Sequence, residues 1–134
     1  MSPSPQFRIL IADRNRHVRE FLRREFLEQG YRVEVARDGQ EVLLWAETEG
    51  LDLLILDPET PYVGELEVLA RLKERRPELP VVIYTFPGES AENEALESAA
   101  ARLEKDGDTA RLKTAVAEAL QNYYPHRFRE RRKA

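Results

Sequence analysis

The sequence predicts an α/β domain built on a five-stranded parallel sheet in the order 2-1-3-4-5. Short apolar runs alternate strictly with helical stripes between Phe7 and Tyr123. Such alternation makes a parallel sheet with helices on both faces, because each strand must be followed by a crossover. Glycine and proline mark most of the boundaries. Right-handed crossovers on five strands suit the 2-1-3-4-5 order. The 134 residues, 42% of them hydrophobic, are enough for one core and too few for two full domains.

The elements follow in order. Phe7 to Ala12 is a short apolar run, as a buried strand requires. Val18, Phe21, Leu22 and Phe26 recur at helical spacing between Asn15 and Gln29, and Gly30 closes that helix. Tyr31, Val33 and Val35 alternate with Arg32, Glu34 and Ala36, which predicts a second strand. Asp38 and Gly39 open a second helix through Val42, Leu43 and Ala46, ended by Gly50. Leu51 to Leu56 is the third strand. The segment 57–64 is irregular, since Pro58 and Pro61 break ladders and helices alike. Leu66, Leu69 and Leu72 form a third stripe, stopped by Pro77 and Pro80. Pro80 to Thr85 is the fourth strand, Glu89 to Ala100 a weakly amphipathic fourth helix, and Ala101 to Glu104 a short fifth strand. Leu112, Ala115, Val116, Ala119, Leu120 and Tyr123 lie on one face of a fifth helix, which Pro125 stops. The arrangement is flavodoxin-like.

Composition excludes several classes. With no cysteine there is no disulfide, thiolate metal site or cysteine nucleophile. His17 and His126 are too far apart in sequence for a structural zinc site. No run approaches a membrane span, and residues 1–5 have neither the basic nor the apolar region of a signal peptide. A cytoplasmic protein is expected. The net charge of −4 is uneven: residues 126–134 carry five basic residues against Glu130, leaving −8 on the preceding chain. An acidic body with a short basic end does not suit a dedicated nucleic-acid binder. The expected organisation is a flexible start over 1–6, one domain over 7–124, and a basic tail or linker over 125–134.

In open α/β sheets, ligands bind at the carboxyl ends of the strands near the switch in strand order. That switch lies between the first and third strands, which are followed directly by Asp13 and Asp57. The chain has only six aspartates against 19 glutamates, so two at one rim is informative. Thr85 ends the fourth strand and Lys105 follows the fifth. Two carboxylates form an anionic cup for a hard cation such as Mg²⁺. The cation, the ammonium and the hydroxyl together could neutralise a phosphoryl group moving onto a carboxylate. Asp57, at the end of the most apolar strand, is the better nucleophile candidate.

This pattern resembles the receiver domain of bacterial two-component response regulators over nearly the whole chain, from about Phe7 to Tyr123. Its most specific part is LDLLILD followed by PETPYVG, in which Asp57, Pro61 and Gly64 match the family's D-x-x-x-P-x-x-G loop. The ILIAD and VVIYT strands match as well. The resemblance implies that Asp57 accepts a phosphoryl group from a histidine kinase or phosphotransfer protein. It implies that Asp13, Asp57 and the backbone carbonyl of Glu59 hold Mg²⁺. Thr85 would bond the phosphoryl group and Lys105 would pair with Asp57 or the phosphate. Such a domain is a phosphoacceptor, not an enzyme. The face of the fourth helix, fifth strand and fifth helix would meet an output protein or domain, or a second copy of the chain.

Four positions depart from the family pattern. Arg14 stands where a second acid is usual, which weakens Mg²⁺ binding by charge alone. Phe86 follows Thr85 where a small residue is preferred, so its ring is placed to cover the pocket. Arg102 holds the position of an aromatic switch residue, and Asp106 that of a proline. Arg14 reads first as a surface arginine without a role, with a bidentate pair to Asp57 as the alternative. Lys105 reads equally as a solvated lysine and as a site residue. Trp45 reads as partly buried packing and His17 as exposed. These departures motivate a second expectation, a degenerate receiver that acts as an interaction module without phosphate. An enzyme on the same architecture fits poorly. The segment 13–16 is no phosphate loop of the flavodoxin kind, and no glycine-rich nucleotide loop is present.

Overall fold

The computed structural model describes residues 6–89 and 98–128. Strands β1 (Arg8–Ala12), β2 (Arg32–Ala36), β3 (Leu51–Leu56), β4 (Val81–Thr85) and β5 (Ala101–Glu104) form one parallel sheet in the order β2-β1-β3-β4-β5. Helices α1 (Arg16–Glu28), α2 (Gly39–Ala46), α3 (Val68–Arg75) and α4 (Ala110–Tyr123) complete the described elements. The helix expected over 89–100 falls largely on residues 90–97, outside the described residues.

Strand alternation divides the core into two layers. Ile9, Ile11, Leu53, Ile55, Val82 and Tyr84 face Leu22 and Phe26 of α1 and Leu112, Val116 and Leu120 of α4. Leu10, Leu54, Leu56 and Ile83 face Val42 and Ala46 of α2 and Val68 and Leu72 of α3. Successive strand residues point to opposite faces, so adjacent apolar residues serve different layers. All six residues of the central strand β3 are buried, which explains why LDLLIL shows almost no alternation.

Local chemistry sets the helix starts. The Asn15 side chain accepts the N–H groups of His17 and Val18 at 2.7 and 3.3 Å, capping α1. The Asp38 side chain accepts the Glu41 N–H at 2.9 Å, capping α2. Gly39 lies against the irregular loop after β3: a Cβ there would fall 2.8 Å from the Tyr62 carbonyl oxygen. The Gly39 N–H donates to the Pro61 carbonyl at 2.8 Å, tying α2 to that loop.

Two boundaries differ from expectation. The stripe from Leu66 becomes helix only at Val68, because residues 61–67 form turns and Glu67 has a left-handed backbone (φ 50°). The segment from 125 is not all tail. Residues 125–128 form one more helical turn, and the Phe128 ring stacks on Phe7 with centroids 5.6 Å apart. Arg127 lies over the Phe7 ring at 4.0 Å and donates to Asp52 Oδ1 at 2.8 Å. Tyr124 donates its hydroxyl to the Asp52 carbonyl at 2.7 Å. An apolar ring and a buried carboxylate under the sheet thus recruit the first residues of the expected basic end. The remaining tail residues, 129–134, are outside the described residues.

Candidate functional site

The site lies at the carboxyl ends of β1, β3, β4 and β5. Main-chain hydrogen bonds carry the sheet into it. Asp57 donates its N–H to the Ala12 carbonyl at 2.9 Å, and Lys105 donates its N–H to the Thr85 carbonyl at 2.7 Å. Asp13 and Asp57 are therefore brought side by side by the strand order, as the sequence predicts. Asp57 is fully buried and Asp13 is 1% exposed.

Lys105 is buried between the two aspartates and is not solvated. Its side chain is 6% exposed, and Nζ lies 2.7 Å from Asp13 Oδ2 and 3.2 Å from Asp57 Oδ2. Two buried carboxylates draw the ammonium inward, because each would otherwise be an uncompensated charge.

Arg14 also departs from the surface reading. Its Nε donates to Asp57 Oδ2 at 2.8 Å and its Nη2 to Asp57 Oδ1 at 3.0 Å, a bidentate fork on one carboxylate. Its backbone N–H reaches the same Oδ2 at 3.2 Å. On its other edge, Nη1 donates to Glu89 Oε1 at 3.2 Å, and Nη2 also pairs with Glu89 Oε2. The physical reason is the buried negative charge of Asp57, within reach of a side chain two residues past the end of the neighbouring strand.

The Phe86 ring, expected over the pocket, lies against these two cations. Its ring centroid lies 4.5 Å from Lys105 Nζ and 5.3 Å from Arg14 Cζ, within range of cation–π attraction. Thr85 is 4% exposed, and its buried Oγ1 has no hydrogen-bond partner among the described residues. Glu59 donates its N–H to Asp57 Oδ1 at 3.0 Å. Arg102 is exposed on β5.

The two aspartates titrate in opposite directions. Burial pushes Asp13 above the usual carboxylate value, and its bonds to Lys105 and the Asn15 N–H only partly offset that. Burial acts on Asp57 too, but the Arg14 fork, the Glu59 N–H and Lys105 outweigh it and hold Asp57 below the usual value. Asp57 is thus a committed anion.

Two participants were not legible beforehand. Glu89 meets Arg14 from 75 positions away, with no local signal to mark it. Thr60 donates its hydroxyl to the Asp57 carbonyl at 2.6 Å and shapes the turn after β3. A Thr three residues after an Asp at a strand end is the available clue.

The donor set does not fit Mg²⁺. Asp57 already receives both nitrogens of the Arg14 fork, two backbone N–H groups and Lys105. Asp13 receives Lys105 on Oδ2 and the Asn15 N–H on Oδ1 at 2.9 Å. Among the described residues, no group of three or more His, Cys, Asp or Glu side chains could hold a metal. Mg²⁺ needs oxygen ligands at about 2.1 Å in near-octahedral geometry, and here the carboxylate oxygens are already engaged by nitrogen donors.

A five-stranded parallel sheet in this order, with paired aspartates at its switch point, defines an α/β protein of the flavodoxin-like class. Comparison with known proteins narrows this. Residues 9–117 match the response regulator receiver domain, and the chain belongs to that family. It is 41% identical over 78 residues to the response regulator MprA of Mycobacterium ulcerans, across 58% of this chain and 34% of MprA. The chain therefore spans about a third of the length of that relative. It is similar to the response regulator protein TrrA of Thermotoga maritima in complex with Mg²⁺-BeF, with 27% identity and a TM-score of 0.75. That alignment covers 84% of this chain and 98% of the other. It is also similar to a chain in the complex of histidine kinase ThkA with TrrA, at 28% identity and a TM-score of 0.76, covering 85% and 98%. A CheY-like receiver of Methanospirillum hungatei, 24% identical with a TM-score of 0.80 and covering 90% and 98%, shares the fold. No helix among the described residues is long and apolar enough to cross a membrane.

Proposed function

We propose that this receiver transmits its signal as a protein-binding module that does not depend on Mg²⁺-assisted phosphorylation of Asp57. The observation that carries this reading is the Arg14 fork on both Asp57 oxygens. A carboxylate held by a guanidinium, an ammonium and two backbone N–H groups is a weak nucleophile. Its lone pairs are engaged, and its basicity is lowered. A partner protein would meet the surface formed by β5 and α4. This surface could also pair with a second copy.

A second reading keeps the phosphoacceptor role. It is favoured by Thr85, whose buried Oγ1 lacks a hydrogen-bond partner among the described residues. A phosphoryl group on Asp57, delivered by a histidine kinase, would give that hydroxyl an acceptor and Lys105 a new anion. Arg14 would first have to leave at least one Asp57 oxygen.

The discriminating experiment is incubation with acetyl phosphate and Mg²⁺, followed by intact-mass measurement. The proposal expects the mass to stay unchanged. Stoichiometric addition of one phosphoryl group, lost in Asp57→Asn, overturns it in favour of the second reading.

A further inference from the structure

We propose that the Arg14 guanidinium is the resident cation of this site, occupying the place of a divalent metal, and that replacing it with an acid unmasks a metal site. The inference deepens the preceding one, because it rests on Asp57 being engaged by Arg14. Three features support it.

The first is location. Arg14 lies one position past Asp13, and both its backbone N–H and its side chain close on Asp57. The main chain and the side chain wrap the same carboxylate, so the guanidinium is positioned by the strand end itself.

The second is charge. The buried aspartates, Asp13 and Asp57, are matched by two cations, Arg14 and Lys105. The buried part of the cup is thus matched charge for charge before any metal arrives, and only Glu89, at the exposed rim, is left over. A hard dication is drawn by excess negative charge and oxygen donors, and here neither is on offer. Arg14→Asp would move the local charge by two units toward negative and add a carboxylate beside Asp13.

The third is enclosure. Glu89 holds the outer edge of the guanidinium, and Phe86 lies over both cations. Arg14 is anchored on two sides, which distinguishes it from a surface arginine resting on a carboxylate by chance. A guanidinium is charged at any working pH and cannot be removed by a chelator. The site is therefore permanently filled.

The test is direct metal binding, read by Mn²⁺ electron paramagnetic resonance and by calorimetry with Mg²⁺. The wild-type chain is expected to show no saturable Mn²⁺ binding in the millimolar range. Arg14→Asp is expected to gain a saturable site at least about tenfold tighter, with a Mg²⁺-dependent rise in Tm. Adding Asp57→Asn to that variant should remove the site. Circular dichroism checks folding, and Arg14→Gln, which deletes the charge and adds none, serves if Arg14→Asp does not fold. It should show weaker but saturable binding. Saturable wild-type binding lost on Asp57→Asn overturns the proposal, as does a folded variant with no gain. Phosphorylation of the wild type without any metal would instead overturn the preceding reading and leave this one standing.

Discussion

Arg14 and Asp57 form a bidentate ion pair, with Nε at 2.8 Å from Oδ2 and Nη2 at 3.0 Å from Oδ1, between the ends of two adjacent parallel strands. The acid is fully buried and the base 29% exposed, so solvent screens the pair only on one side. Removing one partner of such a pair leaves a buried charge short of donors. Arg14→Ala is expected to lower unfolding free energy by about 1.5–3 kcal/mol, the range for hydrogen bonds to charged groups. Urea unfolding measures it, and a change within about 0.5 kcal/mol, typical of an ordinary surface substitution, would show that the fork contributes little.

Asp57 gives this pair a pH signature. Its folded pKa lies below the ordinary carboxylate value, so it contributes stability above that value and loses it as pH falls through the folded pKa. Stability should drop below about pH 4, and the gap between wild type and Asp57→Asn should narrow there. Asp13 has the opposite sign. Burial raises its folded pKa, so its contribution is present below the ordinary value and is lost as pH rises through the folded one. Urea midpoints across pH 2 to 7 should therefore show Asp57→Asn flattening the acid limb (about one carboxylate's worth of slope). Parallel profiles for wild type and Asp57→Asn would contradict the assignment.

Phe86 shields the two cations from above. Phe86→Ala removes its ring from Lys105 and Arg14 and should cost about 0.5–1 kcal/mol. Amide exchange at 14 and 105 should speed up in the same variant. Unchanged exchange would mean that the ring covers nothing that matters.

Gly39 tests how the loop after β3 is held. A methyl group there meets the Tyr62 carbonyl carbon and oxygen at 2.9 and 2.8 Å, and backbone cannot swing aside as a flexible side chain can. Gly39→Ala is expected to destabilise by about 1–3 kcal/mol despite the higher helix propensity of alanine. A stabilised variant would show that the loop yields freely.

At the opposite end of the sheet, Tyr124 donates to the Asp52 carbonyl, and burial beside the Asp52 carboxylate pushes its phenol up to about 12. A raised value means stability present below the ordinary phenol range and lost as pH rises through about 12. Ultraviolet titration should show a late tyrosinate that Tyr124→Phe removes. The same variant should lose about 1 kcal/mol, one hydrogen bond. A wild-type titration complete near pH 10, the ordinary phenol value, would contradict the packing.

Sequence patterns carried most of the fold because they are local. Helical stripes, strand runs and the Asn15 and Asp38 caps each depend on neighbours a few residues away. Topology then placed Asp13, Asp57, Thr85 and Lys105 together, since parallel strand ends share one rim. What escaped was side-chain pairing across loops. Whether Arg14 faces solvent or Asp57 depends on the charge left unpaired in the interior, which no spacing rule encodes. Glu89 and the packing of Arg127 and Phe128 depend in the same way on distant partners, Arg14, Asp52 and Phe7.

Arg14 is proposed to take the cation's place at Asp57. A crystal of the chain grown with Mg²⁺ and beryllium fluoride tests it most directly. The Arg14 fork is expected to remain on both Asp57 oxygens, with neither metal nor fluoride between them. A Mg²⁺ ion bound by Asp13 and Asp57, with Arg14 turned out to solvent and beryllium fluoride on Asp57, would contradict it.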